Sequence, residues 1–138
     1  MKIGSSASKK KRKKINWKKL CDDIWADLIK AKAGHKSEYS GKLGKKAGGD
    51  EILHAHHILG KSNYRLRYEL DNGISLTAGE HKFIAHHAGR QEMFRERIKE
   101  IKGQDIYERL KLLKSGISKV DYKMMFLYLK EQLKTYEL

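Results

Sequence analysis

Residues 55–87, AHHILGKSNYRLRYELDNGISLTAGEHKFIAHH, decide how this chain folds. With Ile52, Leu53 and His54 they open on a short run, ILHAHHI, that follows a glycine- and lysine-rich stretch and predicts a strand over 52–58. Residues 59–71 read as a loop in which Lys61, Arg65 and Arg67 alternate with Tyr64 and Tyr68. LDNGISL then sets an Asn-Gly pair, the favoured hairpin dipeptide, ahead of a second strand at 73–76. Thr77-x-x-Glu80 has the form of a capping box, in which the threonine hydroxyl takes a free backbone N–H and the glutamate reaches back. A helix therefore starts at Thr77 with His81 in its first turn. The middle of the chain reads strand, loop, strand, helix.

Helices flank this unit. Trp17, Leu20, Cys21, Ile24, Trp25, Leu28 and Ile29 recur at steps of three and four, which predicts a helix over 16–33 with Asn16 as N-cap and Gly34 as its stop. Cys21 falls in that stripe as a small buried residue. Residues 34–50 form a loop. Further helices are expected at 90–101, at about 104–114, and after a Ser118-x-x-Asp121 cap, where Met124, Leu127 and Tyr128 widen the apolar stripe enough to admit a dimer contact. The fold class is α+β, with a short two-stranded antiparallel sheet plus helix between N- and C-terminal helices. Residues 1–14, MKIGSSASKKKRKK, are too charged to pack and read as a flexible basic arm, leaving one domain at 15–138.

The balance of 31 Lys+Arg against 17 Asp+Glu, a formal charge of +14 on 138 residues, points to a polyanion as partner. No apolar run is long enough to span a bilayer, the first residues do not resemble a signal peptide, and the single cysteine fits a reducing cytoplasm.

Of seven histidines, six fall between His54 and His87. On a strand, neighbours leave on opposite faces, so His56 and His57 suit two jobs, one ligand and one base, better than a shared ion. His54 shares the face of His56 and reads as structural. His81, on the helix, can fold back toward His56. Asn72 follows His57 by 15 residues and precedes His81 by 9.

That order of His-His, Asn and His on strand, loop and helix resembles the HNH endonucleases, and the stretch quoted above is similar to phage-encoded members, including recombination proteins of the NinG type. The likeness runs over about residues 19–114. It implies a ββα-metal core at about 52–88, followed by C-terminal helices at about 90–136, that cleaves DNA with one divalent cation in the host cytoplasm and leaves 5′-phosphate and 3′-hydroxyl ends. By the same resemblance His57 is the general base, His56 and His81 are metal ligands, and Asn72 holds the loop and orients the base. Ala85 stands where some relatives carry a further ligand, and His86, one residue on, is a further candidate. A base with pKa near 7 suits imidazole. The donor set admits Mg²⁺ or Mn²⁺, with Zn²⁺ or Ni²⁺ as alternatives, and imidazole favours the softer ions.

The chain departs from many relatives in lacking two Cys-x-x-Cys pairs. Ser37, Ser40, Thr77 and Glu80 stand in their place and supply no thiolate, so a structural Cys₄ zinc site is excluded. The capping box and flanking helices are expected to hold what zinc would. Lys61, Arg65, Arg67 and Arg90 are expected to contact phosphates, with Tyr64 and Tyr68 against sugar or base. Phosphate contacts position DNA without reading sequence, so specificity should be low and salt sensitivity high. The expected partner is DNA, with no membrane and no small-molecule cofactor, bound by a monomer or weak dimer. Two other readings fit the same residues: a non-catalytic nucleic-acid-binding protein with a structural histidine metal site, and a protein of anionic membrane surfaces, which the lack of a basic amphipathic helix disfavours.

Overall fold

The computed structural model describes residues 14–86, 89, 91–116 and 119–137, with backbone alone at 84–86. The basic arm up to residue 13, Arg90, Ser118 and the side chain of His86 lie outside these residues. Among the described residues the protein is α+β, with six helices and one two-stranded antiparallel sheet. None of those helices is long and apolar enough to cross a membrane.

Helix α1, Trp17–Lys32, starts where the Asn16 side chain accepts the Lys19 N–H at 3.0 Å. It ends in two left-handed residues, Gly34 and His35, whose N–H groups return to Ala31 and Lys30 carbonyls. Its apolar face buries Cys21, Ile24, Trp25, Leu28 and Ile29, each contributing about 1.5–3 kcal/mol where fully buried and large. The Cys21 thiol donates to the Tyr122 carbonyl at 3.0 Å, and burial, then the Asp22 charge, pushes its pKa up to about 11, which makes it an unreactive thiol.

Strand β1, Leu53–His57, pairs with β2, Gly73–Thr77, in a register that sets His57 opposite Gly73 and His56 opposite Ile74. All of β2 is buried, because both faces of the sheet are covered. One face meets α1. The other contributes Ile74 and Leu76 to a second cluster with Phe94 and Ile98 of α4, Gln91–Lys102.

The connection between the strands differs from the expected loop. It folds into a short helix α2, Tyr64–Tyr68, and a 3-10 turn, Leu70–Asn72. Asn63 caps α2 by accepting the Leu66 N–H at 2.8 Å, while its amide nitrogen donates to the last carbonyls of α5, Gln104–Lys114. Nor does Asn72-Gly73 make a tight hairpin turn. Gly73 is extended, and it is glycine because α1 lies so close: an added Cβ would sit 2.3 Å from Ile29 Cδ1 and 2.8 Å from Trp25 Cζ2.

Helix α3, Ala78–His86, begins at the predicted box, with Glu80 N–H donating to Thr77 Oγ1 at 3.1 Å and Thr77 N–H donating to Glu80 Oε1 at 2.9 Å. The last helix, α6 (Tyr122–Tyr136), is capped by Asp121 and lies along α1, with Leu129 fully buried. Met124, Leu127 and Tyr128 face outward, exposed.

Gly73→Ala should lower stability by about 1–3 kcal/mol in chemical denaturation through overpacking against α1. Adding Ile29→Ala should recover part of that loss. Full stability of Gly73→Ala alone would refute the close approach.

Candidate functional site

The ring of His57, on the α1 face of β1, stacks on Trp25 with centroids 3.9 Å apart and planes 5° from parallel. Its Nε2 lies 2.9 Å from the Arg67 carbonyl oxygen. A carbonyl only accepts, so Nε2 carries the hydrogen and the neutral ring presents its lone pair at Nδ1. Burial depresses the His57 pKa, the Arg67 carbonyl opposes that, and the Lys61 and Arg67 charges add to the depression. The net shift is downward, so the ring is neutral at pH 7.

Arg67 owes its position to Asp22. Its Nε and Nη2 each donate to an Asp22 carboxylate oxygen at 2.8 Å, and the Tyr68 hydroxyl donates to the same carboxylate at 2.8 Å. Burial opposes ionisation of Asp22, but the hydrogen bonds from Arg67 and Tyr68 outweigh it and hold the carboxyl below its usual range. The Arg67 side chain is only 18% exposed. It faces inward, toward Asp22. Tyr64 is likewise committed, its hydroxyl donating to the Asp121 carbonyl at 2.7 Å. The two tyrosines and Arg67 thus hold hydrogen bonds within the fold.

Asn72 is fully buried. Its Oδ1 accepts the Leu59 N–H at 2.9 Å, and its Nδ2 donates to the Gly60 and Leu66 carbonyls at 2.9 and 2.8 Å. It fixes both ends of the segment that carries Lys61 and, one residue beyond Leu66, the carbonyl that holds His57.

On the opposite face of β1, His56 lies 5.0 Å from the His81 ring and 5.5 Å from that of Phe94, centroid to centroid. Burial, with smaller contributions from His81 and His57, lowers the His56 pKa to about 4. His54 also reaches His81, Nδ1 to Nδ1 at 3.1 Å with ring centroids 5.3 Å apart. Asp22, Trp25, His56, His57, Lys61 and His81 line one cavity of about 400 Å³. His56 and His57 also border a second, of about 260 Å³, with Phe94, Arg95 and Tyr107. Lys61 and Arg65 are exposed, and Arg65 borders a separate recess with Lys32 and Tyr68. Arg90 and the His86 side chain lie outside the described residues.

Sequence reading missed Asp22 and Trp25, which come from a helix far upstream with no local signal, and gave His54 no place beside His81. Among the described residues no three His, Cys, Asp or Glu side chains converge to hold a metal ion. Imidazoles in near contact still suit a divalent ion that takes its other ligands from water or phosphate oxygens. Compared with protein-family models, curated proteins and solved structures, the chain matches none of them.

The depressed His56 pKa makes metal-free protein less stable in acid. As pH falls through 6.5 the unfolded chain takes up a proton that the folded one refuses until about 4. Allowing for partial exposure, His56 alone should remove on the order of 2 kcal/mol across that window. Denaturation midpoints in chelator should fall from pH 7 to pH 5, and His56→Gln should flatten the slope. An unchanged slope in the variant would assign the effect elsewhere.

Proposed function

We propose that this protein is a divalent-metal-dependent DNA endonuclease of the HNH type, with β1, β2 and α3 as its ββα core. The observation that carries this reading is His57. It is a neutral imidazole whose Nε2 is bound to the Arg67 carbonyl and whose ring is held flat on Trp25, on a cavity that His56 and His81 also line.

In this reading His57 Nδ1 takes a proton from water as the water oxygen bonds to phosphorus. The P–O3′ bond breaks, the 3′ oxygen gains a proton from solvent, and the 5′-phosphate remains on the other fragment. A divalent ion at His56 and His81 would stabilise charge on the scissile phosphate and leaving oxygen. Asn72 keeps Lys61 at the cavity rim, where its cation attracts the phosphate. Burial keeps both His56 and His57 unprotonated, one ready to ligate and the other ready to accept a proton. The formal charge of +14 supports DNA as the substrate by adding sequence-independent affinity.

Supercoiled plasmid with Mn²⁺ or Mg²⁺ should give open circles, with none in EDTA and none with His57→Ala. Because the His57 pKa is depressed, the rate should hold below pH 6.5 and fall only at lower pH. A retarded plasmid that is never cut would favour the non-catalytic binding protein.

Asp22 acts through Arg67 as a positioning residue. Asp22→Ala should lower kcat about 10–100-fold by letting the Arg67 carbonyl drift, with KM little changed. Asp22→Glu should restore part of the loss. Equal losses in both, or a change in KM alone, would remove this role.

A further inference from the structure

The mechanism above leaves one histidine of the site unused. His54 precedes His56 by two residues on β1, so both side chains leave the strand on the same face. Its ring stands edge-on to that of His81, 85° between planes, with the two Nδ1 atoms 3.1 Å apart. Two imidazole nitrogens at that spacing share either one hydrogen or one cation. With metal–nitrogen bonds of about 2.0–2.1 Å, ligand atoms on a common ion at tetrahedral or right angles stand roughly 2.8–3.4 Å apart. The observed spacing falls in that range.

We propose that His54 is itself a metal ligand, chelating with His81 through the two Nδ1 atoms. The assignment rests on the metal-site reading of this face but not on catalysis. His54 is exposed, whereas His56 is more enclosed, so the pair can take an ion directly from solvent. Its other positions are open to water and phosphate oxygens. Both protein donors of this pair are imidazole nitrogens, and the preferred ions are then Mn²⁺, Co²⁺, Ni²⁺ or Zn²⁺ over Mg²⁺. The second nitrogen of each ring, Nε2, carries the hydrogen when Nδ1 binds metal, so binding fixes one tautomer for both residues.

The test is Co²⁺ and Zn²⁺ titration of the metal-free full chain, read by visible absorption, by calorimetry and by imidazole ¹⁵N shifts, without any nuclease assay. His54→Ala should fold as the parent does, by circular dichroism, because the side chain is exposed. It should weaken binding about tenfold or more, while His35→Ala should leave it unchanged. In the parent, Zn²⁺ should move the Nδ1 resonances of His54 and His81 and leave their Nε2 protonated. Unchanged affinity in His54→Ala, with loss in His81→Ala, would overturn the proposal and leave a site without His54. No binding by the parent would overturn the metal-site reading with it.

Discussion

β1 is five residues long, and its alternation separates two kinds of chemistry by a single peptide bond. His57 turns toward α1, where Trp25 covers one ring face and the Arg67 carbonyl fixes Nε2. His56 and His54 turn the other way, toward His81. A one-residue slip against β2 would exchange the two sets, moving His57 to the face of His81 and His56 and His54 to the face of Trp25. The register is protected on the partner strand, where Gly73 alone tolerates the approach of Ile29 and Trp25, and where Ile74 and Leu76 must enter the cluster under α4.

A sheet of two strands is marginal by itself, and here side-chain hydrogen bonds complete it. Asn72 makes three from a fully buried amide. Glu38 guards the outer edge of β2, accepting the Ser75 N–H at 2.8 Å and a Lys102 ammonium at 2.8 Å. Ser37 donates to Glu80 at 2.6 Å, while the Tyr39 and Ser40 N–H groups donate to the Ser37 hydroxyl. Burial raises the Glu80 pKa, but bonds from Ser37, Ser40 and Thr77 bring it below the usual range, so the carboxylate is charged and satisfied. Ser37, Ser40, Thr77 and Glu80 thus meet as one hydrogen-bonded cluster. The Ser37 hydroxyl joins the Thr77–Glu80 capping box to the 34–50 loop.

The elements legible in the sequence were those set by neighbours along the chain. The stripe and Asn16 cap gave α1 to within a residue at each end, and Thr77 and Glu80 gave the start of α3; at α6, Asp121, the last residue of the expected Ser118-x-x-Asp121 box, is itself the cap. Helix α2 was missed because one and a half turns of Tyr, Arg and Leu carry no period, and its cap, Asn63, is held by carbonyls of α5 fifty residues away. Asn-Gly misled as a turn because its true constraint is α1 overhead. The histidines of the site were legible as a group, but their pairing was not. A contact between His54 and His81 depends on how α3 crosses β1, and no spacing encodes that.

Charge follows the same division. A cation beside an acid in sequence is nearly always a solvated i,i+3 or i,i+4 pair, such as Lys19–Asp23 or Arg97–Glu100, worth little. The cations that shape the site are paired across the fold: Arg67 with Asp22, Lys102 with Glu38, Lys32 with Asp71, and Arg109 with Glu69 and Asp71. These acids are partly enclosed, so they anchor their cations against the fold. Lys61 forms no such pair and stands on the cavity of His56, His57 and His81. Its charge also helps keep His57 neutral. One exposed lysine therefore lines the cavity and depresses the His57 pKa at once, which a count of basic residues along 59–71 cannot reveal.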